Sequence, residues 1–448
     1  MIFNVPYANS KAPKFAVDER ETVFIAANSI DGDLVRGEWG DTVMRLVQAI
    51  GVERTFVSVY GGPKDALADL DKRLEGIGLA KGNRMVLSEE TTPVDVDAIG
   101  KTKLPSGSER IERISFLAEV RNMALRPLES QKQKWDKVLF INDVFFDVEG
   151  ALRLLWGSYG EGNKKNTKAV CATDFIEPWK YYDTFATRDT EGYSLGVPIF
   201  PWFANVGQAI SRKDVLAGKD RVRVKSCWGG MVAFDGSYFQ ASSKSSSSAV
   251  SVPLKFRSEK EPFWDSSECC LIHADIMAAS PASSHVSETE DWDTGIYMNP
   301  FVRVSYSTST QRSLWLAKRF EALFALPQAL INKLAHMPRF NPRRAEIEGQ
   351  IVEDKLWISS QSGKSEEEQI TLAMAEFGSG KLGKRGLVGE LKDKEYWRKE
   401  GYYIPFNRTA RRGGYCGVRQ LLVLKEDRKE GEGNWDTLRG EIPPLDMD

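Results

Sequence analysis

Apolar runs alternate with amphipathic stretches along the first third of the chain. Thr22 to Ala27 reads as a strand ending at Asn28. Residues 41–50 set Val43, Met44, Val47 and Ile50 on one helical face. Thr55 to Tyr60 is a second strand, closed by Gly61, Gly62 and Pro63. Leu67, Leu70 and Leu74 mark another helix, and Met85 to Leu87 a short third strand. This alternation predicts an α/β fold with a mostly parallel, doubly wound sheet flanked by helices.

The stretch from Lys137 to Phe146 organises the rest. Val138 to Ile141 is β-branched and aromatic, as suits a strand buried on both faces. It stops at Asn142-Asp143, and ligands of open α/β sheets bind beyond the carboxyl ends of the strands. After Asp147, Val148, Leu152 and Leu155 share a helix face. Two readings are open. Asp143 holds a divalent cation carrying a diphosphate, or Asn142-Asp143 is a turn followed by an Asp147 cap. Ala169 to Asp174 repeats the pattern, so Asp143 and Asp174 are expected on one sheet edge.

A helix between 110 and 128 carries Ile111, Ile114, Ala118 and Leu125 near one face. Arg110, Arg113 and Arg121 fall on another. They form either a diphosphate clamp or a solvated face. Tyr181-Tyr182-Asp183, Arg188-Asp189 and Gly192 lie in a loop that suits sugar contact or plain turns. Ser226 to Met231 holds Trp228 before two glycines. Leu254 to Arg257 resumes a strand-like pattern. Ser267 to Asp275 also reads as a strand, which sets His273 and Asp275 on one side, as metal ligands or as core.

Beyond 310 the pattern turns helical. Leu314, Ala317, Leu323 and Leu326 precede Pro327, which should end or kink their helix. Residues 342–354 read as a charged helix, 241–248 as a serine-rich loop, and Gly414 to Leu424 as a strand edging the sheet. Gly378 to Arg385 imitates a phosphate-binding loop but has Arg385 where Ser or Thr is needed. The expected division is an arm over 1–20, a catalytic domain over 21–310, and an extension over 311–448 packed on it.

Composition narrows the function. The 61 basic and 63 acidic residues leave a net charge of -2, which gives nucleic acid no broad basic surface. No apolar run is long enough to span a membrane, and the start at Met1 lacks the pattern of a signal peptide. As given, the chain reads as soluble. Five cysteines without a C-x-x-C pair argue against a zinc site and leave room for one or two bridges. The absence of G-x-G-x-x-G after the first strand argues against a dinucleotide dehydrogenase.

Several motifs recur in a telling order: Phe140-Ile-Asn-Asp-Val144, Thr173-Asp-Phe175, Tyr182-Asp183, Arg188-Asp-Thr-Glu-Gly192, Ser226-Cys-Trp228, Ser267-Glu-Cys-Cys-Leu-Ile-His-Ala-Asp275 and Asn299-Pro-Phe-Val-Arg-Val304. Together they resemble the fungal capsule-associated α-1,3-mannosyltransferases, glycosyltransferase family sixty-nine. The family usually has Asn where Gly229 stands and Glu where Gly61 stands. The resemblance implies a GT-A-like fold, a GDP-mannose donor, a divalent metal (Mn, with Mg as alternative) and transfer with retention to an oligosaccharide or glycolipid. It implies the Golgi lumen, reached through a short N-terminal membrane anchor that this sequence does not show. It assigns the metal to Asp143, His273 and Asp275. The donor falls to Ala27, Asn28, Asp65, Arg113, Arg121 and Asn142, and the acceptor to Tyr182, Asp183, Arg188, Asp189 and Trp228. Asp174 and Glu268 become the catalytic carboxylates. The rival readings are a catalytically silent carbohydrate-binding or scaffold protein and a nucleotidyl or pyrophosphate enzyme.

Overall fold

The computed structural model describes residues 15–103, 109–130, 133–157, 167–241, 250–259, 261, 263–280, 292–360, 363–377, 399–425 and 434–437. The chain divides into two compact units. The first comprises 1–94, 118–257 and 267–340, and the second 95–117, 258–266 and 341–448. The second unit thus begins at 341 rather than 311 and takes in two short segments from the middle of the chain. Segments that short carry too little periodicity to announce another unit.

The first unit is built on nine described strands: β1 (Val23–Ser29), β2 (Thr55–Gly61), β3 (Arg84–Ser88), β4 (Lys137–Ile141), β5 (Ala169–Glu177), β6 (Lys180–Tyr181), β7 (Val222–Arg223), β8 (Met231–Asp235) and β9 (Ile296–Ser305). They form one sheet in the order β3-β2-β1-β4-β8-β5-β9-β7, with β6 beside β5. Strands β3, β2, β1 and β4 are mutually parallel, as are β5 and β9. Strand β8 runs antiparallel between β4 and β5. The mostly parallel α/β sheet is therefore as expected, with one reversed strand wedged into its middle.

Both faces of the sheet are covered, which is why its strands read as unbroken apolar runs. Val23, Ile25 and Ala27 join the core formed with helices α1 (Glu38–Ile50) and α2 (Lys64–Gly76), through Val43, Val47, Leu67 and Leu70. Phe24 alternates to the other face and stacks on Phe56, ring centroids 4.8 Å apart. Helix α3 (Arg113–Leu125) starts in the second unit and enters the first at Ala118. Helix α4 (Val148–Leu155) follows β4, capped by the Asp147 carboxylate accepting from Gly150 N–H. Helix α5 covers Glu268–Ala279, where a strand was expected. Helix α6 (Thr308–Phe320) and helix α7 (Ala325–Leu334) are joined by one 3-10 turn. Pro327 sits in the first turn of α7, where its missing N–H costs nothing, so it opens a helix rather than ending one.

In the second unit, Ile351–Ser359 pairs antiparallel with Gly401–Thr409, so the expected charged helix is in part a strand. Gly414–Cys416 is a 3-10 turn. The strands after it, Gly417–Arg419 and Leu422–Leu424, pair with Trp264–Ser266 and Trp435–Thr437, not with the nine-stranded sheet. Leu254 to Arg257 forms no strand. The loop at 378–385, most of the serine-rich stretch and most of the arm lie outside the described residues.

Candidate active site

Strand β4 delivers Asp143 to the carboxyl end of the sheet. The turn is pinned on both sides: Asn142 N–H donates to Gly230 O at 2.9 Å, and Trp39 Nε1 donates to Asn142 O at 3.0 Å. Asp143 is half-buried. Burial pushes its carboxyl up, its own backbone N–H and Arg121 pull it down, and Asp31 adds a smaller upward push. Asp31 caps a short helix, accepting from Asp33 and Leu34 N–H at 2.9 and 3.0 Å. Sequence reasoning missed it, because nothing local marks its approach to Asp143.

Arg121 acts on Asp143 through its charge. Its Nε donates to Glu268 Oε1 at 2.9 Å and its Nη1 to Asn142 Oδ1 at 3.1 Å. The guanidinium lies 4.3 Å from the Trp228 ring centroid, with Phe140 and Phe256 beyond. Arg121 is only 9% exposed. It is thus a buried tie between β4 and α5, not an open fork, and Trp228 is the apolar bed beneath it. The expected row of arginines does not form. Arg110 lies on the strand Glu109–Ile111, and its Nη2 donates to Leu424 O at 2.7 Å and Asp436 Oδ2 at 3.2 Å. Arg113 sits 5.6 Å from the Trp435 ring centroid.

Glu268 is the first residue of α5 and is buried, with Cys269 Sγ also 3.4 Å from its Oε1. The helix overturns the premise for His273 and Asp275. Residues two apart share a side of a strand but are about 200° apart around a helix. His273 is wholly buried, its Nε2 2.7 Å from Cys227 O. Burial lowers its pKa to about 4. Asp275 is held by Arg257 Nε and Nη2 at 2.8 and 3.2 Å. Among the described residues, the one group of three ligand-type side chains within 4.8 Å is Cys171, Cys227 and His273. The two sulfurs there form a disulfide. The structure therefore does not gather His273 and Asp275 around Asp143.

Strand β5 delivers Asp174, which is 1% exposed. Its Oδ1 accepts from Asp183 N–H at 3.0 Å and its Oδ2 from Tyr306 OH at 2.8 Å. Asp183 in turn accepts from Ala186 N–H at 3.0 Å and from Gly229 N–H at 3.2 Å. Burial, with the Asp183 charge beside it, raises Asp174 to about 7, and burial raises Asp183 as well. The Tyr306 ring meets Tyr182 at 4.6 Å, and Tyr182 is exposed. Tyr306 was not foreseen. It follows the end of β9, 132 residues beyond its carboxylate partner.

The other predicted residues shape the backbone or stand apart. Buried Arg188 donates to Phe185 O and Thr187 O, and Asp189 accepts from Glu191 and Tyr193 N–H. Ala27 belongs to the core, and exposed Asp65 pairs with Arg36. Asn28 Nδ2 donates to Tyr60 O and Val120 O at 3.1 and 3.0 Å, while its Oδ1 is buried without a partner. Gly229 has φ +58°, and a Cβ there would stand 2.0 Å from Ala172 O. At Gly61, φ +143°, it would stand 2.3 Å from Ser29 O. Gly229 and Gly61 therefore occupy backbone with no room for a side chain.

The family described as Cryptococcal mannosyltransferase 1 matches residues 22–275. No curated protein matches the chain. Among solved structures, a mycobacterial protein is similar over 76% of this chain and 80% of its own, at 12% identity and a TM-score of 0.30. The mannosyltransferase PcManGT from Pyrobaculum calidifontis, in complex with GDP-Man and Mn2+, is similar over 75% of this chain and 82% of its own, at 10% identity and a TM-score of 0.31.

Proposed function

The chain belongs to the cryptococcal mannosyltransferase 1 family and is a glycosyltransferase; we propose that it moves mannose from GDP-mannose to a mannose-containing oligosaccharide or glycolipid, with retention, on a GT-A-like fold. The observation that carries this reading is the cluster of Asp143, Asn142, Arg121 and Glu268 at the carboxyl end of β4.

A divalent cation, Mn or Mg, fits that cluster. Asp143 is a half-buried carboxylate whose charge is disfavoured by burial and by Asp31. Hard cations take such oxygen ligands and use ligand phosphates and water for the rest of their shell. Asp143 would hold the ion, and the ion would supply charge to offset the diphosphate leaving group. The partnerless Oδ1 of Asn28, at the end of β1, is offered to a donor hydroxyl or N–H.

The two predicted catalytic carboxylates take different roles. Both oxygens of Asp174 are occupied, by Asp183 N–H and Tyr306 OH, so it positions Tyr306 and the Asp183 loop. Glu268 takes its Arg121 and Cys269 contacts on Oε1. We assign Glu268 the support of positive charge developing at the anomeric carbon. Exposed Tyr182 is the acceptor contact. The Cys171–Cys227 disulfide fits an oxidising compartment such as the Golgi lumen.

Incubation with GDP-mannose, Mn and mannose oligosaccharides should release GDP and extend the acceptor, with the linkage read by NMR. Binding of GDP-mannose without GDP release would move the chain to the silent carbohydrate-binding class. Pyrophosphate release from a nucleoside triphosphate would move it to the nucleotidyl class.

A further inference from the structure

Helices α6 and α7 carry their polarity inside out. Facing the rest of the first unit, Gln328 Oε1 accepts from Arg212 Nη1 at 2.6 Å, and its Nε2 donates to Val197 O and Phe203 O at 3.3 Å. Asn332 Oδ1 accepts from Val197 N–H at 2.7 Å. Glu321 is buried against Arg303 Nη2 at 2.7 Å. The inner side is thus fastened largely by polar groups.

The outer side is apolar. Leu316, Phe320, Leu323, Leu326, Leu330 and Leu334 recur at three- and four-residue steps and are all exposed. Leu323 is 71% exposed, Leu326 76%, and Phe340, just beyond α7, 89%. A single exposed leucine needs no explanation, but a continuous stripe of this kind marks an interaction surface.

Charge identifies the partner. Residues 308–340 hold five basic residues against one acidic, Glu321, in a chain whose net charge is -2. Glu321 is spent on Arg303, and Lys318 lies over the Phe301 ring. Arg312, Arg319, Lys333 and Arg339 are exposed beside the leucines. Apolar side chains with Lys and Arg along their border suit the headgroup zone of an anionic bilayer, where the stems of Lys and Arg lie on apolar surface and their charges reach the phosphates. Trp315, also exposed, has the amphipathic ring found at that depth. At 13 and 10 residues, the two helices are too short to cross about 30 Å of hydrocarbon.

We propose that α6 and α7 rest on an anionic membrane surface, leucine stripe inward and arginines at the headgroups. The inference does not depend on the donor or the chemistry of transfer. The test is flotation of the full chain with phosphatidylcholine vesicles, with and without phosphatidylserine, at low and high salt. Binding is expected only with phosphatidylserine and should weaken as salt rises. Leu326→Glu and Leu330→Glu, measured separately, should each lower partitioning at least about tenfold, from the lost apolar burial and the added like charge. Arg319→Ser should lower it roughly fivefold, and Lys72→Ser on exposed α2 should leave it unchanged. All four positions are exposed, and unchanged circular dichroism and melting establish that each variant folds. The proposal is overturned if the chain ignores anionic vesicles, if either leucine variant still floats, or if Lys72→Ser loses as much as Arg319→Ser. Sedimentation showing a dimer that Leu330→Glu dissociates, with no vesicle binding, would assign the stripe to a second copy.

Discussion

Arg121 and Glu268, 147 residues apart, meet through a 2.9 Å bond from Nε to Oε1, and both are buried. Breaking a buried pair leaves a charge without compensation. Arg121→Leu should therefore destabilise the protein by about 3–5 kcal/mol in urea unfolding. Arg121→Leu combined with Glu268→Leu should recover much of that loss. A single variant as stable as the parent would mean that Glu268 does not rely on Arg121.

Asp143→Asn keeps the shape of the side chain and removes its charge. The turn hydrogen bonds are made by the backbone of Asn142, so the melting temperature should hold within a few degrees. Calorimetry should show Mn-dependent binding of GDP-mannose weakened by about tenfold or more, the scale of losing a charge-assisted contact. Unchanged affinity would remove Asp143 from the donor site.

Stability should carry a pH signature from Asp174. In the folded protein its carboxyl holds a proton up to about pH 7, whereas unfolded it releases the proton near 4. The folded state binds more protons between those values, so this group's contribution falls as pH rises through the window, by up to about 1.4 kcal/mol per pH unit. Asp174→Asn should remove that falling contribution, so that in denaturation measured from pH 4 to 7 stability rises with pH more steeply than in the parent. A parent-like slope in the variant would place the titration elsewhere.

His273 works in the opposite sense. Folded, its pKa falls to about 4 from 6.5. The unfolded state then binds more protons between those values, and stability rises with pH across that range. The two groups oppose each other, so each variant should unmask the other's slope. His273→Ala should cost about 2–4 kcal/mol as a buried cavity, yet leave the Mn concentration needed for half-maximal activity unchanged. A rise in that concentration would return His273 to the metal shell.

Some of this was legible and some was not, for reasons that particular residues make plain. Val138 to Ile141 announced β4 because a strand buried on both faces is apolar without interruption, and that located Asp143. The same rule misled at Cys269 to Asp275. Helix α5 is buried along nearly its whole length, so it has no polar face and reads like a strand. Ser267 precedes that helix without a side-chain cap. Arg113 and Arg121 looked equivalent by spacing. Their partners, Trp435 and Glu268, are long-range neighbours that spacing cannot identify. Tyr306 was invisible for the same reason. Leu323 and Leu326 read only as helical, because helical periodicity registers an apolar stripe without telling which way it points.

The reversed strand β8 has a consequence for synthesis on the ribosome. Strands β1 to β4 are complete once Ile141 has emerged, yet the outer edge of β4 is met only by residues 231–235. For some ninety residues of translation, a wholly buried-type strand waits with one row of backbone groups unpaired. Such an edge invites pairing with another nascent chain. Chaperone demand should peak while residues 142–230 are being made and subside once β8 slots in, so nascent chains stalled before Met231 should be the ones that aggregate.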